Sequence, residues 1–291
     1  MIINEIPQQR KIIIKEAESF NIAQILECGQ CFRFNQVDSK YKVIAFSKVI
    51  FIEQSEKEII FHNTTRKDFD DIWMNYFDLN TNYDAIKKIL GDNDPRLVNP
   101  IAFADGIRLL NQDPFECMIS FIISQNKKIS MIKSIIKTIS EYYGTQIDEE
   151  SYAFPTPEQL ERVSIDELLL CKTGFRAKYI KDAVEKVCSG IIDFDKMKAM
   201  ETQQIREALL SVYGIGPKVA DCIMLFSFGR KEVFPVDVWV KKIMKSYYFD
   251  NSDVHLREIS SLANQLYGDF AGVAQQYLFH YARLNPNLIK V

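Results

Sequence analysis

The sequence predicts an α+β protein: an N-terminal twisted antiparallel sheet domain, then a mostly helical, two-part body. Three observations predict it. Between residues 30 and 62, β-rich runs alternate with short polar turn signals. From Lys67 onward the apolar period becomes helical. Thereafter helix starts and stops recur, and one Gly-x-Gly hairpin separates two apolar helices.

In chain order, Ile12 to Ile14 is a short strand candidate, and Gln30–Phe34, Tyr41–Phe46, Val49–Glu53 and Glu58–His62 read as a meander. Such a sheet twists, and helices must cover one of its faces. Phe69, Ile72, Trp73, Tyr76 and Phe77 then follow helical spacing, and a second helix runs from Tyr83 to Leu90. Gly91 to Pro95 reads as a loop, so a boundary is expected near residue 104, dividing a sheet domain (1–104) from a helical region (105–291). Asp113, Pro114 and Glu116 form a strong helix start. The helix they open, Cys117 to Ile123, is apolar almost all round and is expected to be the buried centre. The next helix carries Ile129, Ile132, Ile136, Ile139 and Tyr143 on one stripe. Thr156-x-x-Gln159 and Ser164-x-x-Glu167 are two capping boxes.

Composition bounds the function. An apolar content of 47% supports a real core, and a net charge of −3 argues against a general polyanion binder. A nucleic-acid face must then be local, with Lys127/Lys128, Lys133/Lys137, Arg176/Lys178/Lys181 and Lys241/Lys242/Lys245 as candidates. No apolar run reaches the ~18 residues of a membrane span, and the first residues lack a signal-peptide layout. Cys28, Cys31, Cys117, Cys171, Cys188 and Cys222 are scattered as in a reducing compartment. Cys28-x-x-Cys31 has no second ligand pair, so no metal is expected there. An intracellular monomer is expected.

The densest signal lies at 205–228. Ile205, Ala208, Leu209 and Val212 mark one helix, Gly214 ends it, Gly216 permits a tight approach, and Pro217 starts the next. Gly214, Ile215 and Gly216, with the first turn beyond, expose backbone N–H groups suited to a phosphate. Lys218 sits in that first turn, where a cation opposes the helix field. Stability alone does not select a lysine there, whereas a neutral lysine amine is a nucleophile. Asp237 follows nineteen residues later, after Phe234, Pro235 and Val236, and reads as an N-cap of a further helix. Taken singly, Lys218 is equally a phosphate-contacting or solvated lysine and Asp237 simply a cap. Together, G-x-G-x-K and Pro-Val-Asp are far more specific.

This pattern resembles the helix-hairpin-helix plus Gly/Pro…Asp (HhH-GPD) signature of the base-excision DNA glycosylases. Lys218 to Cys222 and Val233 to Asp237 resemble its 8-oxoguanine DNA glycosylase/AP lyase branch. Three further segments extend the resemblance: Glu27 to Phe34, Lys172 to Tyr179 and Ala274 to Phe279. The resemblance implies Lys218 as nucleophile and Asp237 as its electrostatic partner. It implies Gly29, Cys222, Gln275, Phe279 and Pro235 around the damaged base, with the Gly29 carbonyl accepting from the N7–H that 8-oxoguanine has and guanine lacks. It implies Asn126 filling the gap left by the flipped nucleotide, Phe175 as a wedge and Arg176 bonding the estranged base; a loop anchor is the plainer reading of Phe175. It also implies a structural cation, monovalent or divalent, on the carbonyls of Leu210, Val212 and Ile215.

Three departures are visible. Met131 replaces an arginine that reads the opposite cytosine, and methionine offers it no hydrogen-bond donor, so a relaxed opposite-base preference is expected. Trp239 replaces a phosphate-contacting histidine. The closely spaced cysteines that hold an iron–sulfur cluster in related glycosylases are absent. The expectation is a bifunctional enzyme that excises 8-oxoguanine from duplex DNA and nicks the strand, with no redox or organic cofactor. Two rivals stay open: a glycosylase for oxidised pyrimidines or alkylated purines, and a non-enzymatic hairpin module that binds DNA.

Overall fold

The computed structural model describes residues 1–288. Its sheet has six strands: β1 (Ile2–Ile6), β2 (Lys11–Lys15), β3 (Phe34–Val37), β4 (Lys40–Ala45), β5 (Lys48–Gln54) and β6 (Glu58–His62). They pair antiparallel in the order β1-β2-β6-β5-β4-β3. Period-two alternation explains the inner face: Val43 opposes Ile50, Ile52 opposes Phe61, and Phe61 opposes Ile12. Helix α1 (Ile22–Glu27) covers this face together with α2 (Arg66–Asp68), a π-helical turn (Phe69–Trp73) and α3 (Met74–Tyr76). Phe20, Leu26, Phe69, Trp73 and Phe77 form the small core against it.

The sheet differs from expectation in two ways. Strand β1 was not expected, because Asn4 and Glu5 interrupt its apolar pattern; it pairs at the sheet edge, where polar residues face water. The strand expected at Gln30–Phe34 begins only at Phe34. Gly29 turns the chain at φ +82°, and the Gln30 side chain is spent on buried backbone partners instead of a ladder.

The helical body begins with α4 (Tyr83–Asn93) and α5 (Val98–Phe103). Helix α4 runs through Gly91, which was expected in a loop. Then follow α6 (Pro114–Ser124), α7 (Ile129–Tyr143), α8 (Pro157–Glu161), α9 (Ile165–Leu170), α10 (Arg176–Cys188) and α11 (Phe194–Lys198). The chain continues with α12 (Thr202–Leu210), α13 (Pro217–Ser227), α14 (Val238–Tyr248), α15 (Leu256–Tyr267) and α16 (Ala271–Leu284).

Helix α6 is the expected centre, with Phe115 and every residue from Cys117 to Ile123 buried. Asp113 caps it by accepting from the Glu116 N–H at 2.9 Å, a bond of about 1 kcal/mol. Glu116 does not close a capping box; its carboxylate pairs with Arg33 at 3.3 Å and ties the sheet to α6. Both capping boxes at α8 and α9 are present. Tyr83, Leu90 and Leu97 pack into the large helical core, so the two hydrophobic cores divide near residue 80, with Cys28 and Phe32 reaching across one way and Leu110 the other.

Candidate active site

The hairpin between α12 and α13 is built from two glycines with different duties. Helix α12 ends at Leu210, and Gly214 follows at φ +86°. A β-carbon on Gly214 would lie 2.3 Å from the Tyr179 ring, so conformation and space both require glycine. Its carbonyl accepts from Gln125 Nε2 at 3.0 Å, which fastens the hairpin to the end of α6. Gly216 is the N-cap of α13, and the space beside its α-carbon is open. Since Pro217 has no N–H, Lys218 and Val219 carry the first-turn N–H groups that an α-helix leaves unpaired. An anion fits there.

Lys218 and Asp237 line one open cavity of about 560 Å³. The Lys218 ammonium lies 5.3 Å from the centre of the Phe121 ring, which also lines the cavity. Asp237 caps α14, accepting from the Val240 N–H at 2.8 Å. Cap and cavity carboxylate are thus one residue, and the two readings of Asp237 are compatible. Burial raises its pKa above the ordinary carboxylate value; the Val240 bond, the Lys218 charge, the Trp239 N–H and Arg283 oppose the rise. A carboxylate and a lysine therefore line one partly desolvated pocket, where fields act strongly.

The pocket's far wall joins distant segments. Gly29 is in the left-handed region, and a β-carbon there would sit 3.1 Å from Phe279 Cε1. Gln30 anchors this turn: its Nε2 donates to the Ile25 and Arg108 carbonyls, both at 2.8 Å, and its Oε1 accepts from the Leu110 N–H at 2.9 Å. Phe279 and Arg283 on α16 complete the wall. Gln275, one turn before Phe279, is 4% exposed, and its Oε1 has no hydrogen-bond partner. A buried carbonyl oxygen left this way is what a ligand donor would satisfy. Cys222 and Pro235 are buried and are not among the residues that line the cavity. Burial pushes the Cys222 thiol up to about 11 against the lowering influence of Lys218, so it is a neutral, apolar surface.

A second group of expected residues faces outward. Asn126, at φ +52° between α6 and α7, is exposed. Phe175 is 54% exposed and Met131 49%. Phe175 is therefore not a core anchor, although its ring meets Tyr179 edge-on at 5.6 Å. Arg176 is 3% exposed. Its guanidinium donates to the carbonyls of Gln125 and Thr173, and it stacks 4.2 Å from the Phe175 ring centre. In this geometry Arg176 braces the Phe175 loop against the end of α6.

The carbonyls of Leu210, Val212 and Ile215 are an all-oxygen donor set of the kind hard cations take. The Val212 oxygen already accepts from the Ile215 N–H at 3.0 Å, which leaves it one lone pair. Among the described residues, no cluster of three or more His, Cys, Asp or Glu could hold a metal.

Residues 11–118 match the family of the 8-oxoguanine DNA glycosylase N-terminal domain, and residues 119–267 match the HhH-GPD superfamily of base excision DNA repair proteins. The chain belongs to the HhH-GPD superfamily. It is similar to the N-glycosylase/DNA lyase of Saccharomyces cerevisiae, 31% identical across 92% of this chain and 85% of that protein. It is also similar to the probable N-glycosylase/DNA lyase of Methanothermobacter thermautotrophicus, 34% identical across 65% of this chain and 68% of that one. Among solved structures it resembles the 8-oxoguanine glycosylase/lyase of Clostridium acetobutylicum bound to duplex DNA with cytosine opposite 8-oxoguanine. That likeness has a TM-score of 0.94, 40% identity, and covers 98% of this chain and 99% of the other. No helix among the described residues is long and apolar enough to cross a membrane.

Within this superfamily setting, two cavity residues gain weight. Trp239, at the family's histidine position, lines the cavity with Lys242 above it, 5.2 Å from its ring centre. Arg283 was not singled out from sequence at all, since an arginine at the end of a helix ordinarily complements the dipole in solvent.

Proposed function

We propose that this protein is a bifunctional DNA glycosylase and AP lyase that removes 8-oxoguanine from duplex DNA, acting as a monomer where the cell's DNA is. The single observation that carries this reading is the pairing of Lys218 and Asp237 across one cavity walled by Gly29 and Phe279. The glycosidic carbon is unreachable inside a stacked duplex, so the nucleotide must leave the helix. First-turn N–H groups of α13 hold the neighbouring phosphate, and Lys127 and Lys128, also on the cavity, add charge. A net charge of −3 makes such local charge necessary.

Lys218 gives up its ammonium proton, to Asp237 or to solvent, and its nitrogen attacks C1′ of the lesion nucleotide; the bond from C1′ to the base nitrogen breaks, its electrons leaving with the base, which takes up a proton. Asp237 stabilises the positive charge that develops on the sugar. Loss of a proton and ring opening give a Schiff base between Lys218 and C1′. Removal of a C2′ proton then expels the 3′ phosphate and nicks the strand. The raised pKa of Asp237 suits a group that exchanges a proton during turnover.

The Gly29 carbonyl selects the lesion because it accepts from N7–H and repels the bare N7 lone pair of guanine. Gln275 offers its unpaired Oε1 to the base edge. Exposed Met131 supports a relaxed preference for the opposite base. The hairpin carbonyls would hold a structural cation that stiffens the phosphate site.

Duplexes carrying 8-oxoguanine opposite each of the four bases test the function. Base release and a nick at the lesion are expected in all four. Intact strands in all four would refute the reading.

A further inference from the structure

We propose that Arg283 is the positioning residue that clamps the two walls of the base pocket together and thereby sets its selectivity for the damaged base; the inference rests on the 8-oxoguanine reading above. The walls are the turn at Gly29 and the ring of Phe279, and Arg283 engages both. Its Nη2 donates to the carbonyl of Glu27, 256 residues away in the chain and two before Gly29. Its guanidinium lies 5.4 Å from the centre of the Phe279 ring, one helical turn earlier on α16. Its Nη1 sits 3.6 Å from where a β-carbon on Gly29 would lie. It lines the same cavity as Lys218 and Asp237.

The geometry gives the clamp a consequence. The Gly29 carbonyl discriminates only if it stands at hydrogen-bond distance from a base held against Phe279. Gln30 fixes the rear of the Gly29 turn to the residues before α6, whereas Arg283 fixes it to α16. A planar guanidinium can donate to a carbonyl while laying its flat face toward a ring; an ammonium can donate but has no plane to stack. Burial disfavours the charge here, with Glu27 and Asp237 offsetting that cost, so the side chain is not simply solvated at a helix end.

The test uses the full chain with Arg283→Met and Arg283→Lys. Single-turnover release of 8-oxoguanine is compared with nicking of a duplex that already holds an abasic site. An abasic site presents no base to the pocket, so the ratio of the two rates isolates base positioning from folding and from Lys218 chemistry. R283M is expected to lower that ratio about tenfold or more, the worth of one hydrogen bond to a charged group. R283K is expected to restore part of it, and it carries the same test should R283M not fold. An unchanged ratio, equal loss of both activities, or full restoration by lysine would overturn the clamp. Wild-type protein that releases no 8-oxoguanine would overturn the function itself, and this inference with it.

Discussion

The cavity proposed to take the base and the exposed surface proposed to face the opposite strand are built on different principles. Gly29, Lys218, Asp237, Phe279 and Arg283 come from four separate stretches of chain and converge on one cavity. Three of them are held in place by hydrogen bonds: Gly29 through Gln30, which reaches Arg108 and Leu110, Lys218 by the hairpin's fastening to Gln125, and Asp237 by its own local cap. By contrast, Asn126 and Phe175 stand exposed on short connections and Met131 on the first turn of α7, with Arg176 tying the Phe175 loop to the end of α6. Chemistry needs groups preorganised within fractions of an ångström. Filling a gap in a duplex needs an apolar or polar tip of about the right size. On the resemblance, Met131 and Phe175 depart from the family pattern on the exposed side and Trp239 departs on the cavity itself, while Lys218, Asp237 and Gly29 match it.

This contrast can be broken at the chemical side first. Lys218→Gln is expected to reduce excision and nicking to background while leaving lesion-duplex binding measurable by fluorescence anisotropy. Retained nicking would move the nucleophile elsewhere. Asp237→Asn should cost on the order of 10²-fold in single-turnover excision, the scale of a lost charge-stabilising group. Asparagine caps helices as well as aspartate does, so the melting temperature should stay near wild type and separate chemistry from folding. The same variant has a pH signature. Burial raises the Asp237 pKa, so its ionised form is lost as pH falls through that raised value. The wild-type rate should therefore drop on the acid side at a pH above the ordinary carboxylate range, and D237N should flatten that limb.

The opposite-strand side should give smaller effects. Phe175→Ala is expected to weaken binding to the lesion duplex about tenfold, since stacking is worth ~1–3 kcal/mol per base. Melting should be unaffected because the ring is 54% exposed. Met131→Arg should raise the preference for cytosine by several-fold, up to the 1–3 kcal/mol scale of a base-edge contact. Unchanged cleavage ratios across the four opposite bases would show that Met131 does not face that base.

Much of the fold was legible because its signals are local. The change from period two to helical spacing at Lys67, the Asp113 cap and the two capping boxes all survive in three dimensions. Strand β1 was not legible: its apolar residues are sparse and its pairing with β2 is a tertiary event. The chemical pair was legible because Lys218 and Asp237 belong to one compact motif. Gly29 and Phe279 needed the family resemblance, since a turn glycine and a phenylalanine in an apolar helix look ordinary alone. Arg283 lay beyond reach, because its meaning comes from a carbonyl and a ring that only folding brings to it. Arg176 shows the converse: a signature residue whose side chain the fold turns inward.

The most direct test of the central claim is to trap the enzyme on 8-oxoguanine duplex with borohydride, digest the adduct, and locate the modified residue by mass spectrometry. The sugar remnant is expected on Lys218, the amine that shares its cavity with Asp237. A remnant on Lys127, Lys128 or the N-terminal amine instead would contradict it.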